Sequence, residues 1–139
     1  MDTAVTADLG KKMTDFLETG TVPEGLFRSD AVLDVSVPTW RIQARSLEGL
    51  IQVRKDSHPW PGTVTATRLD PIPHGFVLEF EERWEHDGQH WYCREMLRAD
   101  VTDGQISELT VYCTGDWDEA RQQAYARGHA AAAASHAVR

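Results

Sequence analysis

Cysteine is scarce in this chain: Cys93 and Cys113 are the two thiols among 139 residues. Two are too few for a disulfide scaffold, and free thiols make a cytoplasmic protein the default expectation. Basic residues are also short, with 14 Lys and Arg against 22 acids and a net charge of −8. Such a chain has no cationic surplus with which to displace counterions from nucleic acid or to settle on an anionic membrane. No apolar run nears the roughly 18 residues of a membrane helix. The first residues lack the basic-then-apolar pattern of a signal peptide. Internal repeats and linkers rich in Pro, Gly or Ser are absent as well. What is present is 41% hydrophobic residues, 26% charged residues and five tryptophans. That composition describes a globular domain rather than a disordered chain, and its length suits one domain.

Periodicity divides the chain in two. Leu9, Met13, Phe16 and Leu17 recur at helical spacing over residues 6–19, and Gly20 stops the helix. Residues 23–27 read as a short helical turn. Residues 31–37 read as a strand that Pro38 ends. A second helix is expected over 46–56, capped by Ser46 and closed by His58-Pro59, with Leu47, Leu50, Ile51 and Arg54 on one face. Strands follow at 63–69, 76–84, 91–101 and 106–113, with turns at 70–75, 86–89 and 102–104. From Trp117 the chain is helical again, with a weak stripe of Trp117, Ala120, Ala124 and Tyr125. The core spans about 8–118, and the tail at 128–139 is expected to fray because it has little to bury. Helices set apart from an antiparallel meander predict an α+β domain.

Three segments carry a resemblance: Phe27-Arg28-Ser29-Asp30-Ala31-Val32-Leu33-Asp34, Gly75-Phe76-Val77-Leu78-Glu79-Phe80, and Asp103-Gly104-Gln105-Ile106-Ser107-Glu108-Leu109 ahead of Tyr112. With the element order, they resemble the nuclear transport factor 2-like superfamily, which includes ketosteroid isomerases and SnoaL-like polyketide cyclases. The resemblance implies a cone-shaped α+β barrel. A curved, mostly antiparallel sheet would wrap N-terminal helices, with a C-terminal helix and a deep apolar pocket. It does not imply an activity, because such pockets serve several chemistries.

Strand alternation sorts the faces. Phe76, Leu78, Phe80, Glu82 and Trp84 form the apolar, inward set. Pairing across residues 86–89 places Trp84 opposite Trp91, Glu82 opposite Cys93, Phe80 opposite Glu95 and Leu78 opposite Leu97. A three-residue turn in the next hairpin would set Cys93 near Cys113 and Glu95 near Val111. The outer face would then pair Glu81 with Arg94 and Arg98 with Glu108, as opposite charges prefer. An inner wall with Glu82, Glu95, Cys93 and Cys113 follows.

A carboxyl in an apolar pocket has its pKa raised, and two neighbouring carboxyls push their values apart. Glu95 and Glu82 are therefore the candidate general acid and base, Glu95 the stronger because Phe80 and Val111 flank it. The alternative is that both are solvated at a mouth or paired with Arg41 or Arg45. Cys93 and Cys113 are open to three readings: packed thiols, a cross-strand disulfide, or a nucleophile or metal ligand, although no CxxC or HxxxH spacing supports zinc. Trp40 stacks on a ligand at the rim or packs on the helix, and Arg41 holds an anionic group or faces water. Asp116, with Glu119 three residues on, suits a helix cap. His58 and His74 are the two histidines whose turns reach the open end of a cone.

Ketosteroid isomerase chemistry pairs an aspartate base with a tyrosine and a protonated aspartate. The matching places here fall near Val35, Ser36 and Leu97, and the first helix has no tyrosine. Arg98-Ala99-Asp100 imitates part of the Asp-Arg-Asp set of limonene-epoxide-hydrolase-type enzymes but points outward in this register. The resulting expectation is an isomerase, dehydratase or cyclase for a hydrophobic, polyketide-like or aromatic metabolite. Glu95 and Glu82 would do the chemistry, and Trp40, Arg41, Phe80, Trp84, Trp91, Cys93 and Cys113 would bind the substrate. No metal or organic cofactor is required. A homodimer through the outer face, with Val77, Met96 and Tyr112, is expected. The alternative is a non-catalytic ligand-binding or dimeric interaction domain of the same fold.

Overall fold

The computed structural model describes residues 1–137. Helix α1 (Thr3–Thr19) begins where Asp2 accepts hydrogen bonds from the Ala4 and Val5 N–H groups, at 2.7 and 3.1 Å. Its buried stripe is Thr6, Leu9, Gly10, Met13, Phe16 and Leu17. It ends at Gly20, whose φ of 76° is accessible to glycine at little cost. Residues 23–27 form a turn rather than the expected helix. Gly25 lies at positive φ, and Phe27 is already in a strand opposite Ile106.

Strand β1 (Phe27–Val37) therefore starts earlier than its apolar run suggests. It folds back through Pro38-Thr39 into β2 (Trp40–Ala44), a short edge strand that the sequence presented as a connection. Helix α2 (Leu47–Ser57) has Ser46 as its cap, accepting from the Gly49 N–H at 3.0 Å. Then come β3 (Thr63–Ile72), β4 (Gly75–His86), β5 (Gln89–Thr102) and β6 (Gln105–Cys113). Strand β3 continues through Pro71, which an edge strand tolerates because no ladder donor is lost there. Only Pro73-His74 turns, and not all of 70–75. Helix α3 (Glu119–Ala137) closes the chain. It stays helical through most of the expected frayed tail, and residues 138–139 of that tail lie outside the described residues. Asp118, not Asp116, caps it by accepting from the Arg121 N–H at 2.9 Å.

The strand order is β2-β1-β6-β5-β4-β3, with β1 parallel to β6 and every other neighbour antiparallel. The sheet is curved but not closed, and α1 and α2 pack on its concave side against β3, β4, β1 and β2. Irregular pairing at Ala66/Arg68 and Asp100/Val101 adds bend where a regular ladder would stay flat. Phe76, Leu78, Phe80, Leu97 and Ile106 are fully buried in the core. Together these elements form the expected α+β cone. Among the described residues, no helix is long and apolar enough to cross a membrane.

The β4–β5 register is the expected one, with Trp84 opposite Trp91, Glu82 opposite Cys93 and Phe80 opposite Glu95. The β5–β6 register differs. Thr102 pairs with Gln105 across a two-residue turn, and the irregularity at Asp100/Val101 adds one more step. Cys113 therefore faces Glu95 rather than Cys93, Val111 faces Leu97, and Arg98 faces Thr110 rather than Glu108. A shift of two residues preserves which side chains point inward.

Candidate functional site

The concave sheet, α1 and α2 enclose a cavity of about 510 Å³, within the usual range for small-molecule sites. Met13, Phe16 and Leu17 reach it from α1, and Leu50 and Val53 from α2. The sheet adds Leu33, Val35, Phe80, Leu97, Leu109 and Val111. This apolar wall follows from helical spacing on one side and strand alternation on the other.

Polar groups gather in one part of the wall. Arg54 sits on the inward face of α2, one turn after Leu50, and its Nη2 donates to Glu82 Oε1 at 2.7 Å and to the Leu17 carbonyl at 2.5 Å. Glu82 is only 3% exposed. Cys93 Sγ donates to Glu95 Oε1 at 3.1 Å and approaches Glu82 Oε2 at 3.7 Å. The Gly115 N–H donates to Cys113 Sγ at 3.3 Å. His58, 9% exposed, lines the same cavity with both ring nitrogens unpartnered among the described residues, and its ring stands 4.1 Å from that of Trp84. Asp116 and Ser57 complete the polar lining.

These contacts set the protonation states. Burial raises the Glu95 pKa well above the ordinary glutamate range, and the hydrogen bond and charge of Glu82 raise it further. Burial also pushes Glu82 up, but the Glu95 hydrogen bond and the Arg54 guanidinium outweigh it and hold Glu82 below its ordinary value. Desolvation lowers His58, and the charge of Arg54 adds to it, so the ring is neutral at pH 7. The hydrogen bond with Cys113 and burial push the Cys93 thiol up. Its hydrogen bond with Cys93 and the Gly115 N–H hold Cys113 low against burial. Burial raises Asp116. The polar end thus combines a Glu82–Arg54 pair that favours the ionised carboxylate with a Glu95 whose surroundings favour the protonated form and an imidazole whose surroundings favour the neutral one.

Five of the sequence-derived site residues line the cavity: Glu82, Glu95, Phe80, Cys93 and Cys113. Trp84 is buried behind His58, outside the cavity wall, and Trp91 instead donates its indole N–H to the His86 carbonyl at 3.1 Å. Trp40 pairs with Val37 at the tip of the β1–β2 hairpin but is 72% exposed and lies beyond the wall. Arg41 alternates to the outer face, where Asp34 holds it; Val37, Pro38 and Ile42 line the cavity instead. Neither Arg41 nor Arg45 neutralises the carboxyl pair. Arg54 does, and the signal was an ionisable residue on the buried stripe of a helix. His58 is in the site, whereas His74 is exposed at the β3–β4 turn. The thiols are free. Among the described residues, the donor atoms of Cys93, Glu95 and Cys113 lie within 4.8 Å of one another, a grouping able to hold a metal ion.

No family model matches the sequence, and no curated protein does. Solved structures match it at the level of fold. An NTF2-like protein from Anabaena variabilis superposes with a TM-score of 0.66 at 16% identity, covering 81% of this chain and 89% of that one. A hypothetical protein with a ketosteroid isomerase-like fold from Catenulispora acidiphila, in complex with trimethylamine, gives 0.64 at 10% identity, with 78% and 87% covered. An LEH-like epoxide hydrolase from M. tuberculosis gives 0.62 at 11%, with 79% and 83% covered. The fold is therefore NTF2-like, shared with an epoxide hydrolase and with proteins of unknown function alike.

Proposed function

We propose that the chain is an acid–base enzyme that isomerises, dehydrates or cyclises a hydrophobic small molecule. One observation carries this reading. At the polar end of an apolar cavity two carboxyls meet, one clamped by Arg54 and the other facing the cavity without a cation of its own. Glu95 donates its proton to a carbonyl or leaving hydroxyl oxygen of the substrate. His58, neutral and free at both nitrogens, accepts a proton from carbon and returns it to the product or to solvent. Glu82 acts through Glu95, because its fixed negative charge keeps the proton on its neighbour. This proton transfer needs no cofactor. The apolar wall selects the body of the substrate, and a cavity of this volume admits an aromatic or polyketide-like compound.

The test is solvent-deuterium incorporation into a panel of hydrophobic enones and β-hydroxy ketones, read by NMR. The wild type is expected to exchange or convert at least one compound. Glu95→Gln, which keeps shape and removes the proton, should lower that rate by about 10²–10⁴-fold. Ligand binding with no turnover in either protein would replace this reading with that of a binding domain. For the assembly we propose a homodimer through the outer sheet face. Met96 and Tyr112 are paired there across β5 and β6 and exposed at 46% and 62%. Sedimentation at twice the chain mass is expected, and a monomer would remove this part.

A further inference from the structure

Two thiols and one carboxyl on the cavity wall are arranged by strand register alone. Cys93 and Glu95 are alternate residues of β5 and share its inner face, and Cys113 of β6 stands directly across from Glu95. All three donor atoms lie within 4.8 Å of one another, and Cys93 Sγ is 3.1 Å from Glu95 Oε1. A tetrahedral ion with metal–sulfur bonds near 2.3 Å and metal–oxygen bonds near 2.1 Å separates its donors by about 3.5–3.8 Å. Small side-chain rotations close the difference, and the donors stand on paired strands whose backbone need not move.

The same register argues against a disulfide. Cys93 and Cys113 are diagonal rather than opposite neighbours, so their Cα atoms lie roughly 7–8 Å apart, beyond what a disulfide spans without backbone movement. A second observation points to a ligand here. His58 lines the same cavity, is nine-tenths buried, and has no partner for either ring nitrogen. Buried polar atoms ordinarily have one. A water or anion held in the cavity would supply one.

We propose that Cys93, Glu95 and Cys113 form a site for a soft divalent cation of the zinc class, with its fourth position open to the cavity. Thiolate donors select such ions over magnesium or calcium, and three protein ligands with one open position is the pattern of a reactive rather than a purely structural site. Binding releases the protons of the three donors to solvent and changes no oxidation state. The proposal stands on donor geometry and does not rest on the acid–base reading. A bound cation takes Glu95 out of proton transfer, so zinc is expected to inhibit that turnover.

The experiment is a Co²⁺ titration of chelator-treated full-length protein under a phosphine reductant, followed by absorption. The expected result is one equivalent bound, a thiolate-to-cobalt charge-transfer band in the near ultraviolet, strong visible bands of a four-coordinate ion, and displacement of all of them by Zn²⁺. Cys93→Ser and Cys113→Ser should each weaken binding by at least about 10–100-fold, the loss that removing even an outer partner causes. Glu95→Gln should weaken binding while keeping the charge-transfer band, since both thiolates remain. A wild type without that band overturns the proposal, whatever the variants do. So does unchanged cobalt affinity with an undiminished band in either cysteine variant, because that thiolate is then not a ligand. Circular dichroism separates loss of ligands from loss of fold, and the cobalt spectrum is independent of whether any substrate turns over.

Discussion

The two faces of β4 and β5 carry the same residue types to opposite effect. On the outer face, Glu79 pairs with Arg94, Glu81 with Arg83, and Arg98 with Asp100, all in contact with water. On the inner face, Glu82 pairs with Arg54 with side chains 4% and 14% exposed. Exposed pairs gain little because water solvates each partner almost as well alone. A buried pair is different: its partners have surrendered their hydration, and each depends on the other. The outer ladder sets register and solubility, whereas the inner pair decides the protonation of everything around it.

The most damaging way to break this contrast is Arg54→Ala. It leaves Glu82 buried and unpaired, and a loss of about 3–5 kcal/mol is expected in urea unfolding. Arg54→Ala in combination with Glu82→Leu should recover much of that loss, because no charge is left stranded. A double variant as unstable as the single one would show that packing, not charge, holds this corner.

Smaller effects come from protonation in chelator-treated protein. Glu95 is raised in the folded state, so the native protein keeps a proton that the unfolded chain has lost. Stability from this source is full below the ordinary glutamate value and is lost as pH rises toward the folded value. His58 is lowered, so its contribution is present above the ordinary histidine value and is lost as pH falls toward the folded value. Each slope is at most about 1.4 kcal/mol per pH unit, and the two oppose each other where their windows overlap. Glu95→Gln should therefore leave stability rising with pH below the histidine value. His58→Phe should leave it falling with pH above the glutamate value. Denaturation midpoints at constant ionic strength check both, and identical profiles in the two variants would refute the assignment.

Much of this was legible in the sequence. The β4–β5 register followed from Asp87-Gly88, whose φ values of 50° and 71° suit a two-residue hairpin turn, and from the apolar alternation ending at Trp84. The β5–β6 register did not, because the irregularity at Asp100/Val101 depends on the twist of the assembled sheet. The inner set survived because the error was an even number of residues. Glu95 and Glu82 were found by alternation. The partner that sorts them was missed because Arg54 meets Glu82 across 28 residues and two kinds of element. Trp40 misled because the connection after the first strand was expected at the pocket rim, whereas it is a β1–β2 hairpin whose tip leaves the tryptophan in water.

The smallest expected effect sharpens the comparison from the other side. Arg94→Ala removes the outer partner of Glu79, which sits 2.7 Å away at the surface. Arg94 lies between Cys93 and Glu95 in sequence, so a through-chain influence on the site would show there first. Its side chain, however, points to the opposite face, and water screens its charge from the cavity. The variant should unfold at the wild-type denaturant midpoint and titrate with the wild-type profile, while Arg54→Ala changes both. A shifted profile in Arg94→Ala would mean that the sheet does not insulate its two faces. The protonation of Glu95 would then have to be explained by the whole charge ladder rather than by the single buried pair beside it.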